Sequence, residues 1–156
     1  MLNYTTIPVT DFDQNCSLVW CDEILQAAVI DPGGDLDVLL AEVKRQGLTL
    51  TQIWLTHGHI DHAGGTADLA NRLKLPIIGP HPADQFWIDG LPEQSRMFGF
   101  PHADAFTPTR WLADGDTVTV GHCTLDVRHC PGHTPGHGPE STFGRERQSN
   151  PYVAGT

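Results

Sequence analysis

The chain has 156 residues, 39% hydrophobic and 18% charged, a balance that excludes a disordered segment and fits one globular domain long enough to bury a core. Nine basic residues against 19 acidic ones give a net charge of −10, and the basic residues are scattered without a run or stripe, which argues against nucleic acid and anionic membranes as partners. No apolar run approaches the roughly 18 residues of a spanning helix, and the opening MLNYTTIPVT lacks the features of a secretion signal. A cytoplasmic setting is therefore expected, in which Cys16, Cys21, Cys123 and Cys130 are reduced thiols.

In chain order, YTTIPV, NCSLVWC and AAVID are short, apolar segments rich in β-branched or aromatic residues, and they predict three strands in an antiparallel meander. Pro32-Gly33-Gly34 ends the meander. The stretch DLDVLLAEVKRQG then places Leu36, Leu39, Leu40 and Val43 on one helical face, with Asp35 as N-cap and Gly47 as stop. TQIWLT reads as a buried strand running straight into His57. Residues 63–74 read as a helix with Leu69 and Leu73 inward, LPIIG as a further strand, and residues 82–98 as a partly helical aromatic excursion. DTVTVG and CTLDVRHC give two last strands around Gly121-His122. Strands and helices in this order predict a layered α/β domain.

The unusual feature of the composition is nine histidines. THGHIDHAGG brings His57, His59, Asp61 and His62 into six residues between a predicted strand and a predicted helix. On a loop, the spacing H-x-H-x-D-H points several nitrogen and oxygen donors at one small volume, as a borderline metal such as zinc requires. Gly58 permits a tight turn between two of them, and Gly64 and Gly65 let the helix begin close by. The plainer alternative, a polar loop with solvated histidines, needs this spacing to arise by chance at such a junction. Asp61 alone can be read as a catalytic general base, but its place among histidines favours a ligand role. His81, His102, His122 and His129 fall outside the motif and read as surface or structural residues, and Phe86, Trp87, Met97 and Phe98 as packing or a substrate entrance.

THGHIDHAGG at the end of a strand, preceded by VIDPGG and followed by HCPGHTPGH, closely resembles the metallo-β-lactamase superfamily. Within it, QNCSLVWC and FWIDGLPEQSRMFG are similar to the short bacterial glyoxalase II-like (hydroxyacylglutathione hydrolase) group. The resemblance implies an αββα sandwich and a two-metal site, with His57, His59 and His133 on the first metal and Asp61 and His62 on the second. The implied metal is zinc, one or two ions, with iron or manganese also suited to histidine and aspartate ligands. The implied reaction is attack on a small-molecule thioester, such as the glutathione conjugate S-lactoylglutathione, by a metal-held water whose pKa falls toward about 7.

The chain departs from the family pattern after His137. The triplet Pro-Gly-His occurs at residues 131–133 and 135–137, and the tail GPESTFGRERQSNPYV is similar to the family's far C-terminal region, not to the apolar strand that comes after its first histidine turn. The expectation is that residues 1–137 are the N-terminal part of the family domain and 138–156 its C-terminal tail, joined across a deletion on the order of 60 residues. The joint falls inside identical residues, so His137 is either a non-ligand of the first turn or the last ligand of the second metal. The family's bridging aspartate has no counterpart downstream, and its glutathione-contacting residues fall largely in the missing segment, so no substrate-binding residue is assigned. An incomplete second half predicts an exposed apolar sheet face, with self-association through it, and a mononuclear site with impaired hydrolysis. Three competing readings stay open: a structural zinc site of Cys130, His133 and His137, a mononuclear iron dioxygenase acting on glutathione persulfide, and a fragment without catalysis.

Overall fold

The computed structural model describes residues 2–10 and 13–128. Cys130, His133, His137 and the tail 138–156, including the expected junction, lie outside the described residues, as does His129.

The meander forms as the pattern predicts. Strand β1 (Leu2–Val9) pairs antiparallel with β2 (Gln14–Cys21) in the register Leu2↔Cys21 to Val9↔Gln14, and β2 pairs antiparallel with β3 (Gln26–Ile30). Helix α1 (Leu36–Arg45) then carries the chain over the sheet, so that β4 (Thr49–Trp54) returns parallel to β3. A second crossover, through short helix α2 (Ile60–Ala63) and helix α3 (Thr66–Leu73), brings the two-residue strand β5 (Ile77–Ile78) parallel to β4. The sheet order is β1-β2-β3-β4-β5. After a 3-10 turn at Pro82–Asp84 come helices α4 (Gln85–Asp89) and α5 (Leu91–Phe98), and the described chain closes with the hairpin β6 (Thr117–Val120) and β7 (Cys123–Asp126).

Period-two alternation sends the strands' side chains to two cores. On one face Cys16, Leu18, Ala27, Val29 and Ile53 meet Leu36, Leu39, Leu69, Ile88 and Leu91 from the helices. On the other, Val19, Ala28, Ile30 and Trp54 meet Val118, Val120 and Leu125 of the hairpin. Each large aliphatic side chain so buried contributes about 1.5–3 kcal/mol. Trp54 Nε1 donates to Gln52 Oε1 at 2.7 Å, and Gln52 Nε2 donates to the Thr119 carbonyl at 2.6 Å, tying the two sheets together. The result is the expected α/β sandwich, with helices, the five-stranded sheet and the hairpin as successive layers.

Three expectations are corrected. The helix expected over 63–74 is two helices that break at Gly64-Gly65, because the Gly65 amide donates to the Pro32 carbonyl at 2.9 Å and the DPGG turn packs against the break. Leu73 does not point inward but is 41% exposed, on the last turn of the shortened α3. Asp35 occupies the N-cap position with φ 50°, yet its carboxylate does not cap α1; Oδ2 accepts from the Thr10 amide at 2.7 Å and closes the loop after β1. On the second face of the five-stranded sheet, Val19, Ala28, Ile30 and Trp54 are buried beneath the hairpin.

Candidate metal centre

The site forms where the ends of two parallel strands meet. β3 ends at Ile30 and β4 at Trp54, paired with one another, so Asp31 and Thr56 emerge side by side at the carboxyl edge of the sheet. Open α/β sheets bind ligands at this edge. Asp31 is buried, with φ 57°, a left-handed conformation that aspartate enters more readily than most residues. Its Oδ1 accepts from the Thr56 amide at 2.8 Å, and its Oδ2 accepts from the Thr56 hydroxyl at 2.5 Å and lies 2.9 Å from His62 Nδ1. Gln14 Nε2 donates to the Asp31 carbonyl at 2.8 Å and fixes the backbone beneath.

These bonds set the histidine tautomers. A carboxylate only accepts, so His62 Nδ1 carries the proton toward Asp31 and Nε2 is turned into the site. The Thr56 hydroxyl spends its proton on Asp31, so at 2.9 Å it accepts from His57 Nδ1 and turns His57 Nε2 the same way. Burial opposes charge on His62, but the hydrogen bond and charge of Asp31, with the charge of Asp61, outweigh it and hold its pKa above the ordinary histidine value.

The loop gathers the four residues of the motif. The rings of His57 and His62 lie 4.0 Å apart and those of His57 and His59 4.8 Å, while Asp61 Oδ2 is 3.6 Å from His62 Nε2. His59 also meets the edge of Trp87 at 4.6 Å. Among the described residues, His57 Nε2, both ring nitrogens of His59 and Asp61 Oδ2 are buried atoms not engaged in a hydrogen bond. Buried nitrogen and oxygen donors of this kind cost about 1–3 kcal/mol each unless something binds them. A divalent cation satisfies several at once, so the residues present fit a metal ion.

Asp31, His57 and His62 each place one donor atom within 4.8 Å of the others, but the three hydrogen bonds to Asp31 make it the carboxylate behind His62, not a ligand beside it. Asp31 and Thr56 are the functional residues that motif spacing missed. The visible signal was VIDPGG, in which an acidic residue ends a buried strand.

Two close approaches lock the loop in place. A Cβ on Gly33 would lie 1.7 Å from the Asp61 carbonyl oxygen, so only glycine lets the DPGG turn pass beneath the ligand loop. A Cβ on Gly58 would lie 2.9 Å from Trp87 Cβ. Asp84 Oδ2 accepts from the Gly58 amide at 3.0 Å. Two of the described histidines outside the motif are engaged elsewhere: His81 accepts from the Ala83 amide at 3.0 Å, and His102 is 2.8 Å from Asp104. A cleft of about 740 Å³ lined by Asp35, Asp37, Asp68, Arg72 and His102 shares Gly33, Ile60 and Gly64 with the loop but none of its four donor residues, so the site does not open into it.

Comparison with known proteins places this geometry in context. Residues 9–145 match the family model described as the metallo-beta-lactamase superfamily. Hydroxyacylglutathione hydrolase GloC of Haemophilus influenzae is 43% identical over 137 residues, 87% of this chain and 64% of that protein. Among solved structures, BLEG-1 B3 metallo-beta-lactamase superposes with a TM-score of 0.73 at 32% identity, covering 86% of this chain and 64% of that one. TTHA1623, solved in a di-iron-bound form, gives a TM-score of 0.71 at 34% identity, covering 85% and 64%. The chain thus spans a little under two thirds of the length of these relatives.

Proposed function

The chain belongs to the metallo-beta-lactamase superfamily, and from that premise we propose that it is a metal-dependent hydrolase of the glyoxalase II type, acting on thioesters such as S-lactoylglutathione. The observation that carries the reading is the buried set of His57, His59, Asp61 and His62, with His57 and His62 oriented by Thr56 and Asp31. In this proposal His57, His59 and His133 hold the first metal, and Asp61 and His62 are what remains of the second site, joined by His137 only if the shortened loop reaches. Zinc, iron and manganese all suit the donors; the di-iron form of TTHA1623 supports iron beside zinc.

When bound, such an ion supplies an acidic water and polarises a carbonyl oxygen. The chain's own residues do the rest. Thr56 and Asp31 keep His57 and His62 in the tautomer that presents Nε2. Asp61 places a carboxylate beside His62 Nε2, where it can bind metal or receive a proton from water. Trp87 shields one side of His59. We further propose that the junction after His137 removes the bridging aspartate and leaves one metal and slow turnover.

Hydrolysis of S-lactoylglutathione by the purified chain, loaded in turn with zinc, iron and manganese, tests this. Turnover below that of a full-length relative, abolished by chelation and by Asp61→Ala, is the expected result. A metal-loaded chain with no turnover above buffer rejects it, and ferrous-dependent oxygen uptake with glutathione persulfide would move the assignment to the dioxygenase reading.

A further inference from the structure

We propose that Gln94 is the positioning residue for His59, gripping the ligand loop on both sides of that histidine; this rests on the metal-site reading above. Gln94 lies on α5, 35 positions beyond His59, and is only 7% exposed. Its Oε1 accepts from the Ile60 amide at 3.0 Å, and its Nε2 donates to the Gly58 carbonyl at 3.3 Å and to the Trp87 carbonyl at 2.8 Å. The carbonyl just before His59 and the amide just after it are therefore held by one side-chain amide. The third bond fixes the backbone of Trp87, whose ring meets His59 at 4.6 Å.

A buried amide is costly unless its donors and acceptor are all satisfied, and here both donors and the acceptor are used. The three partners are all on the ligand loop or on the residue that packs against it. The neighbouring Ser95 bonds only within its own helix, donating to the Pro92 carbonyl at 2.6 Å, so the side-chain link from this turn of α5 to the loop runs through Gln94. His57 and His62 are oriented through their ring nitrogens; His59 is oriented through its backbone and the Trp87 edge. Asp84 adds a fourth hold through the Gly58 amide. The excursion at residues 82–98 is in this view a clamp on the metal loop.

The test compares Gln94→Met, which fills the same space without hydrogen bonds, and Gln94→Glu, which keeps an acceptor for Ile60 but loses both donated bonds. Ser95→Ala is the control, a buried hydrogen bond lost from the same helix away from the loop. Cobalt(II) is titrated into each metal-free full chain, reading affinity and the visible absorption spectrum, and metal-free melting temperatures are recorded. The expected result is that Gln94→Met binds cobalt at least about tenfold more weakly with an altered spectrum, that Gln94→Glu falls between it and wild type, and that Ser95→Ala lowers the melting temperature but leaves affinity and spectrum unchanged. Wild-type affinity and spectrum in Gln94→Met overturn the proposal; if that variant does not fold, wild-type behaviour of Gln94→Glu overturns it equally. A wild-type chain that takes up no cobalt removes the metal-site reading, and the proposal with it, and is told apart because the failure lies in the unaltered protein.

Discussion

Asp31 supports the candidate site from outside the histidine motif, because one carboxylate serves the Thr56 amide, the Thr56 hydroxyl and His62 Nδ1. Replacing it with asparagine keeps the shape but puts a donor where one of these acceptors stood. Asp31→Asn is expected to weaken zinc affinity about 10- to 100-fold, measured by competition titration; affinity within about twofold of wild type would show that His62 does not depend on it. Asp31 also reaches the core. Burial pushes the Cys16 thiol well above its ordinary range, with the charge of Asp31 adding to the effect, which makes Cys16 a packing residue and not a nucleophile. The motif histidines stand out in the sequence because they crowd, with Asp61, into six positions. Asp31 and Thr56 could not be assigned, because what makes them functional is the parallel pairing of β3 with β4, and pairing is not written in local spacing.

Among the elements, the turn Pro32-Gly33-Gly34 and the loop between β4 and α2 act as one unit. Gly33→Ala would drive a methyl to 1.7 Å from the Asp61 carbonyl oxygen, backbone against backbone, where no rotamer change helps. The expected cost is about 3 kcal/mol, with the ligand loop displaced. A thermal melt and a zinc titration on the same variant check both parts, and a variant that melts and binds like wild type would remove the claim that the turn supports the loop. The same packing explains where the sequence reading went astray. Residues 63–74 read as one helix, but the chain breaks at Gly64-Gly65, where the Gly65 amide bonds to the Pro32 carbonyl, and α3 begins only at Thr66, with Leu73 exposed at its end. The strands were easier to read: β1 to β3 are short apolar runs separated by polar turns, which favours a meander. The role of α4 and α5 was hidden because Asp84 and Gln94 are ordinary polar residues until the fold brings them to Gly58 and Ile60.

For the molecule as a whole, the candidate metal site sits at one edge of a sheet that is covered on both faces, by helices and by the β6-β7 hairpin. Large apolar exposure lies instead on α4 and α5, where Phe86 is 75% and Met97 68% exposed. No helix among the described residues is long and apolar enough to cross a membrane. Because the four donors are buried together, binding an ion should stabilise the fold as a unit. Zinc at about 100 times its dissociation constant is expected to add about 2.7 kcal/mol, read as a rise in melting temperature that chelation reverses. An unchanged melt with metal bound would place the ion somewhere other than this loop. The central claim is that His57, His59, Asp61 and His62 form a metal-binding centre, and elemental mass spectrometry of the purified chain beside its His57→Ala variant tests it most directly. The expected result is about one ion per wild-type chain, held at the first-metal site of His57, His59 and His133 with water in the fourth position and Asp61 and His62 beside it, and almost none in the variant. A wild-type chain without metal, or a variant that keeps its ion, would contradict it.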